Sequence, residues 1–486
     1  MAGRCSHSRI TYAPSPHTSE IRYSQPSEQA RLDATNPSPA QSSPSSKAKS
    51  RAKRAKQRST APPTRIDIQN FPAPLVLPDD DLALDPEYPP QSYQEWYDEE
   101  ERNPITARRK TVYVVRPPGV DRSIGEAQDW AVPTAARQAK ATGRARGQSS
   151  GNWAEEEMQP NIEDVQEYLS AFFHGLPVKE LDIPENHWKF TLWDDNNEAE
   201  SDPSPAKKQK NPLKNHKAKP TYLALSTGEE AIRIRARRSP HTQDEMGSVY
   251  SHQLNLNDLL DVAIEILPSD AYALCMLVDH DLYEDDEDLF VCGRAYGGSR
   301  VAVVSSARYR PSLDAVQGVE KVHAWPSSHC ARYIERCCKN GKRVRDSKAF
   351  DSSSSTATLP LLESALCASH NHNHRGKLEN PSITWLYRTL RTISHEICHC
   401  FGLDHCVYYA CIMQGSARLA EDARQPPYLC PVDLAKVLAA TGATLTERDE
   451  KLLAICERDD LNGESGFMTF AGWLRASLRV RGGQEQ

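Results

Sequence analysis

The sequence predicts a mixed α/β (α+β) fold, because helix-like and strand-like segments alternate along most of its second two thirds. The segment "IEDVQEYLSAFFHGL" (162–176) places apolar residues three and four apart, which is typical of an amphipathic helix. The segment "AYALCMLVD" (271–279) is an apolar run of strand length. Alternation of the two kinds of segment favours a sheet covered by helices.

The composition indicates that ordered and disordered parts occur together. The 486 residues include 34 Pro, and only 38% of them are hydrophobic. The mean hydropathy of −0.65 is too low for one uniformly packed globule. We place the main folded part at 158–480, with a disordered insertion at about 194–220, where charged residues and Pro replace apolar ones.

The first third of the chain is predicted to hold little regular structure. Residues 1–62 are rich in Ser, Pro, Gln and Lys, and we interpret them as a disordered tail whose removal should not affect stability. Residues 63–120 are predicted to form an extended arm, interrupted by Pro, that ends in a first strand at Val112–Val115. Residues 121–157 are polar, and we predict that they form a linker of low order.

The tail contains one basic run, "KAKSRAKRAKQR", with seven basic residues among the twelve from Lys47 to Arg58. Such a run serves as a nuclear import signal or a nucleic-acid patch in some proteins. A solvated tail has the same composition, so both interpretations stay open.

Charge and cysteine content limit the possible partners. The formal net charge of −7 argues against nucleic acid as a partner of the whole chain. No apolar run approaches the roughly 18 residues of a membrane span, and the first twenty residues lack the apolar core of a secretory signal. The 13 cysteines are therefore expected to be free thiols or metal ligands in a reducing compartment. We expect an intracellular protein, cytoplasmic or nuclear, with no membrane partner.

The segment "HEICHCFGLDH" carries a candidate catalytic metal site. His395 and His399 are four residues apart, so on a helix both imidazoles face one ion. Gly402 can take a positive φ and end that helix, which lets His405 return as a third ligand. Three neutral histidines leave zinc with an open position, and Glu396 is placed to activate the attacking water as general base.

The longer segment "HEICHCFGLDHCVYYACIM", followed by "LCPVD" at 429–433, resembles the archaemetzincin family of metzincin-like zinc metallopeptidases. The resemblance extends, with insertions, over roughly residues 66–480. It implies a mixed twisted sheet with an active-site helix, and a catalytic zinc held by His395, His399 and His405. It also implies that Glu396 is the general base and that Met413 forms a methionine turn beneath the imidazoles.

The resemblance further implies a second, structural zinc held by four cysteines, of which three correspond to Cys406, Cys411 and Cys430. The fourth family position is Asp433 in this chain. A carboxylate is an acceptable zinc ligand, so a Cys₃Asp centre is possible. Alternatively, Asp433 merely opens the following helix, where an acid suits the helix dipole, and the three thiols are free.

The predicted function is zinc-dependent peptide-bond hydrolysis, with a peptide or protein as substrate and an aminopeptidase-like preference as one variant. The alternative is a catalytically weak, zinc-stabilised binding protein, although the intact Glu396 speaks against it. An edge strand would pair with the extended substrate, and Val301–Val304 is the candidate. Tyr408 and Tyr409 are candidate donors to the oxyanion.

Other cysteines and histidines fit structural roles better. Cys398 lies on the active-site helix, where core packing suits it better than ligation. The stretch "SHNHNH" (369–374) is predicted to be a solvated loop rather than a metal site.

Overall fold

A computed structural model of the chain describes residues 7, 9–36, 68–141, 157–193, 221–228, 230–240, 248–339, 360–374, 379–461 and 464–482. The basic run Lys47 to Arg58 and the predicted insertion at about 194–220 lie outside the described residues. None of the described helices is long and apolar enough to cross a bilayer.

The described strands form two sheets, as the mixed α/β prediction requires. They are β1 (Thr111–Val115), β2 (Gly119–Val120), β3 (Val178–Glu180), β4 (Lys189–Leu192), β5 (Thr221–Ser226), β6 (Ala231–Arg238), β7 (His252–Asn255), β8 (Ala271–Val278), β9 (Leu282–Tyr283), β10 (Gly293–Tyr296) and β11 (Val301–Ser305). One sheet has the order β10-β11-β8-β1-β3, and the other has the order β2-β4-β5-β6-β7-β9.

The five-stranded sheet lies beside the candidate site. Its inner strands are parallel and buried on both faces, which explains their continuous apolar runs. The predicted edge strand, Val301–Val304, is wrong, because β11 lies between β8 and β10. The edge is β10, which pairs antiparallel with β11. Its short sequence "GRAY" gave no strand signal, whereas the apolar valine run suits an interior position.

The sequence pattern predicted strands but did not show that six of them form a second sheet. Its inner face supplies Phe190, Leu225, Ile234 and Leu254 to a core shared with β8 and β11. The helix at Leu256–Glu265 packs against β6, β8 and β11, so it joins the two sheets.

Thirteen α-helices are described: α1 (Glu28–Thr35), α2 (Asp81–Leu84), α3 (Tyr93–Asp98), α4 (Thr134–Ala141), α5 (Ile162–Phe172), α6 (Leu256–Glu265), α7 (Ala331–Lys339), α8 (Pro360–His374), α9 (Pro381–Cys400), α10 (Leu419–Asp422), α11 (Pro431–Thr441), α12 (Leu445–Cys456) and α13 (Ser465–Gly482). Helix α9 packs against β8, β10 and β11 and carries the first two candidate histidines. Helix α8 includes all of "SHNHNH", and His372 is buried, so the predicted solvated loop is wrong at this point.

The first third of the chain is more ordered than its composition indicates. Within the predicted tail, the backbone N–H of Thr11 donates to the His329 carbonyl over 2.9 Å, and the Tyr23 side chain is buried. Within the predicted linker, residues 122–141 include α4, and Trp130 stacks on His252 with ring centroids 4.0 Å apart. These segments have few apolar residues, but several of them, including Tyr23 and Trp130, are buried against the main fold. Composition averages do not detect such isolated buried side chains.

Candidate metal centres

Helix α9 presents His395 and His399 on one face. The side chain of Asn380 caps its start by accepting a hydrogen bond from the Ser382 N–H over 3.0 Å. The two Nε2 atoms of His395 and His399 lie 3.0 Å apart. Each Nδ1–H donates to a backbone carbonyl, that of Ile412 over 2.7 Å and that of Leu403 over 2.6 Å. These bonds fix the tautomers, so both Nε2 lone pairs are free to bind a common ion.

A glycine turn brings the third histidine to the same place. Gly402 has a φ of +79° directly after α9, and the chain reverses there. The ring centroid of His405 lies 5.3 Å from that of His395 and 5.1 Å from that of His399. One ring nitrogen from each of the three lies within 4.8 Å of the others. The structure therefore brings together the three histidines that the spacing predicts.

All three imidazoles are held in the neutral form that a metal requires. Burial, followed by the neighbouring imidazoles, holds the pKa of His395 well below its usual value. Burial also lowers the pKa of His399, and it lowers the pKa of His405 to about 4. Near neutral pH the cluster is therefore a set of uncharged nitrogen donors, which fits zinc.

Glu396 lies on the same helix and reaches the edge strand. Its carboxylate accepts a hydrogen bond from the backbone N–H of Ala295 in β10. Burial raises the pKa of the Glu396 carboxyl to about 8, while the Arg294 guanidinium acts in the opposite direction. A divalent cation bound by the adjacent histidines would favour the carboxylate, because opposite charges lower a carboxyl pKa.

A cavity of about 230 Å³ opens beside these groups. It is bordered by β10 on one side and by the segment after the third histidine on the other. Its lining includes Gly293, Tyr309, Arg391, His395, Glu396 and His405. The Asp81 carboxylate lies near His405, with Oδ2 at 4.0 Å from Nδ1. The cavity has room for a substrate side chain next to the candidate base.

A second cluster consists of Cys406, Cys411, Cys430 and Asp433, all of them buried. The Sγ atoms of Cys406 and Cys430 are 3.6 Å apart. Oδ2 of Asp433 lies 3.6 Å from Sγ of Cys411 and 3.2 Å from Sγ of Cys430. Tetrahedral zinc with ordinary bond lengths would place sulfur atoms about 3.8 Å apart and sulfur about 3.5 Å from oxygen. The cluster is close to these dimensions, so the four side chains fit a Cys₃Asp centre.

The orientation of Asp433 favours a ligand over a helix-opening residue. Its recorded hydrogen bonds go to Cys411, Cys430 and Lys436, rather than to backbone N–H groups of α11. Burial raises the pKa of the Asp433 carboxyl to about 7, and the Lys436 ammonium opposes this shift. One carboxylate oxygen faces the thiols while the other is held by the ammonium.

Several other predicted residues have different positions. Tyr408 and Tyr409 are buried and do not line the cavity beside Glu396, so their prediction as oxyanion donors is wrong. Burial raises the pKa of both phenols. Negative charge on the thiols of the second cluster adds to the shift, which indicates that both rings lie near that cluster. Cys398 is fully buried in the core, as predicted, and Met413 is fully buried as well.

Sequence reasoning did not identify Asp81, Gln91 and Lys436 near the two clusters. Lys436 lies one helical turn after Asp433, so its spacing offered a local signal. Asp81 and Gln91 are more than 300 residues from His405, and the local sequence around them offered none.

The histidine cluster is a candidate metal site of the metzincin-like kind. It combines two histidines one turn apart on a buried helix, a third returned by a glycine turn, and an antiparallel edge strand beside them. Residues 377–437 match the model of peptidase family M54. The chain is similar in sequence to archaemetzincins over stretches longer than this segment.

Similar proteins include Archaemetzincin-2 of Macaca fascicularis, 29% identical over 215 residues, which are 44% of this chain and 49% of that protein. Archaemetzincin-2 of Rattus norvegicus is 31% identical over 201 residues, which are 41% of this chain and 45% of that protein. Archaemetzincin-1 of Mus musculus is 26% identical over 233 residues, 48% of this chain and 36% of that protein. The chain spans about half the length of the Archaemetzincin-2 relatives that it matches.

Two solved structures also align with the chain, each with a TM-score of 0.27. Archaemetzincin from Methanopyrus kandleri is 14% identical, with 68% of this chain and 96% of that chain covered. A zinc-dependent peptidase from Methanocorpusculum labreanum is 16% identical, with 67% of this chain and 99% of that chain covered.

Proposed function

We propose that the chain is a zinc-dependent metallopeptidase that hydrolyses peptide bonds. The observation that carries the proposal is the convergence of three neutral imidazole nitrogens beside a buried glutamate, at a cavity bordered by an edge strand. The family model that matches residues 377–437 describes peptidases, which supports the same reaction.

His395, His399 and His405 would hold the catalytic zinc, because their ring nitrogens converge and are uncharged. Three neutral ligands leave zinc with its full charge and an open position. When bound, zinc supplies a Lewis acid and lowers the pKa of coordinated water to about 7.

Glu396 is proposed as the general base. Glu396 directly follows His395 on α9 and lines the same cavity, which supports a role as base rather than as a fourth ligand. The Ala295 N–H holds one side of the carboxylate. The proton that Glu396 takes from the attacking water can then be passed to the leaving amine, because a buried carboxyl with a raised pKa is an effective proton shuttle.

Strand β10 is proposed to bind the substrate backbone. It is the last strand of the five-stranded sheet, and on its outer side it has no neighbouring strand among the described residues. An extended peptide can add to such an edge through main-chain hydrogen bonds. This would place a peptide bond next to Glu396, since the same strand contacts the carboxylate.

The second cluster is proposed to hold a structural zinc through Cys406, Cys411, Cys430 and Asp433. Four protein ligands leave no open position, so this centre has no place for substrate. Its proposed role is to fix the chain that follows His405, and Met413 is proposed to support the imidazoles from below.

The proposal is tested by metal analysis and digestion of a peptide library with wild type, Glu396→Gln and His395→Ala. We expect near two zincs per wild-type chain and cleavage that a chelator abolishes. Glu396→Gln should retain both zincs without cleavage, while His395→Ala should lose one zinc. Zinc binding without any cleavage by wild type would instead support the zinc-stabilised binding protein.

A further inference from the structure

The side chain of Gln91 contacts residues next to both candidate metal centres. Its Nε2 donates to the Gly402 carbonyl and to Oδ2 of Asp404, over 3.0 Å in both cases. Its Oε1 accepts from the Asp404 N–H over 3.2 Å and from Nζ of Lys436 over 2.8 Å. One amide therefore contacts both the turn that returns His405 and the lysine that holds Asp433.

The chemistry of the partners fixes the orientation of this amide. A backbone N–H and an ammonium can only donate, so the Gln91 oxygen must face Asp404 N and Lys436. A carbonyl and a carboxylate only accept, so the Gln91 nitrogen must face Gly402 and the Asp404 side chain. A flipped amide would lose all four bonds, and the arrangement has one stable orientation.

The turn that directly follows α9 contacts the first side of Gln91 and its neighbour Trp96. The Phe401 carbonyl accepts from Nε1 of Trp96 over 2.8 Å, and the Gly402 carbonyl accepts from Gln91. Both donors belong to the segment 91–96, so this segment holds the backbone of the turn. His405 directly follows Asp404, which Gln91 holds by its backbone and its carboxylate.

The other side of Gln91 is anchored by a buried cation. Lys436 is 1% exposed, and its Nζ donates to the Gln91 carbonyl oxygen, to Oε1 of Gln91 and to Oδ1 of Asp433 over 2.8, 2.8 and 3.0 Å. These bonds use all three ammonium donors. An ammonium that is buried and fully bonded has little freedom to move, because any displacement leaves a charge without its partners.

We propose that Gln91 is a positioning residue for the third metal-binding histidine, held in place through Lys436 by the Cys₃Asp cluster. The inference rests on the proposed metal centres and adds a residue outside the segment that matches the family model. Gln91 would act on zinc affinity at the histidine centre by keeping the 402–404 turn closed, without touching metal or substrate.

The test compares Gln91→Glu with Gln94→Glu by titrating metal-free protein with Co²⁺. Gln91→Glu removes both donated bonds and sets a second carboxylate against Asp404, but it retains the acceptor for Lys436. Gln94 is also half-buried and bonds only to Asp98 of the same helix, so Gln94→Glu is the matched control. Thiolate ligands give Co²⁺ an intense charge-transfer band that histidine ligands do not, so the two centres are followed separately.

We expect Gln91→Glu to weaken Co²⁺ and Zn²⁺ binding at the histidine centre by about 10- to 100-fold, as for other residues that orient metal ligands. The thiolate band should persist, Gln94→Glu should stay within about twofold of wild type, and excess zinc should restore turnover. If Gln91→Glu binds Co²⁺ and Zn²⁺ at the histidine centre as tightly as Gln94→Glu does, the inference is overturned.

Should Gln91→Glu fail to fold, Gln91→Met offers an uncharged replacement of similar length. It removes the side-chain bonds to both sides and is expected to weaken the histidine centre in the same way. Unchanged affinity in this variant would also refute the inference. A wild type that binds no Co²⁺ at the histidines would instead refute the proposed function, which keeps the two failures distinct.

Discussion

The Asp433 carboxylate and the Lys436 ammonium lie 3.0 Å apart, with both side chains almost fully withdrawn from solvent. A buried carboxylate without a counter-charge would tend to take up a proton. The ammonium favours ionised Asp433 and leaves Oδ2 directed at Cys411 and Cys430. A zinc ion with three thiolates and one carboxylate carries the same net charge as zinc with four thiolates. The Lys436 ammonium makes the Cys₃Asp centre one charge unit less negative than a Cys₄ centre without such a lysine.

Replacing Asp433 tests whether this cluster binds metal. Asp433→Ala should reduce the zinc content from near two to near one per chain, because three thiolates leave the fourth position unfilled. Asp433→Cys should retain two zincs and release the second more slowly to a chelator, because it restores a fourth thiolate. Both are measured by elemental analysis and chelator competition. One zinc in wild type, unchanged by Asp433→Ala, would mean that the three cysteines are ordinary free thiols.

Glu396 can be separated from the metal ligands by substitution. Glu396→Ala should retain zinc and lower kcat by about 10²- to 10⁴-fold, because a general base contributes about that factor and does not bind the ion. The measurement is turnover of a peptide substrate at saturating zinc, with zinc content determined on the same sample. Loss of zinc by this variant, or turnover equal to wild type, would show that the assigned role is wrong.

The local part of the site could be predicted from sequence, and the distant part could not. His395, His399 and His405 converge because a helical turn and one glycine fix their geometry within eleven residues. Strand β10 was missed because four residues with mixed burial carry no alternation signal. Gln91 was missed because its partners are set by the fold, across more than 300 residues of chain. The second sheet was missed for a related reason, since strand runs do not show which strands pair.

Gly415 lies beside Asp81 and His405, and a side chain added there would have to displace one of them. An added Cβ atom would lie 2.0 Å from Oδ2 of Asp81 and 2.8 Å from Nδ1 of His405. Gly415→Ala should therefore displace one of these groups, cost about 1–3 kcal/mol of stability, and weaken zinc binding at the histidine centre. Gly298→Ala is the control, because its added Cβ meets no atom within 4 Å. Thermal unfolding and chelator competition measure the two effects, and equal results for both variants would contradict the prediction.

His329 should make the protein less stable in acid. Burial lowers its pKa to about 4, helped by the nearby Arg424, while its bond to the Ala73 carbonyl opposes the shift. The unfolded chain binds a proton below the ordinary histidine pKa of 6.5, whereas the folded chain does not until about pH 4. The contribution of His329 to the free energy of unfolding is therefore fully present above pH 6.5, and it is lost as the pH falls toward 4.

The measurement for His329 is urea unfolding of wild type and His329→Gln at pH 7.5 and pH 5. Wild type should lose about 2 kcal/mol more than the variant between these values, since each pKa unit corresponds to about 1.4 kcal/mol. The metal-site histidines are common to both proteins, so the difference isolates His329. If the free energy of unfolding falls equally in the two proteins, His329 does not titrate in the expected range.

Tyr23 should stabilise the protein even though composition places it in a disordered tail. Its ring is buried and its hydroxyl donates to the Val407 carbonyl over 3.1 Å, one residue after Cys406 of the second cluster. Tyr23→Phe should cost about 1 kcal/mol, because it leaves a buried carbonyl without this donor. Tyr23→Ala should cost about 3 kcal/mol or more, because it also leaves a cavity. Gln29→Ala, exposed on α1, is the control and should stay within about 0.5 kcal/mol of wild type. Urea unfolding ranks the variants, and a Tyr23→Ala protein as stable as the control would restore the prediction that this segment adds nothing to the fold.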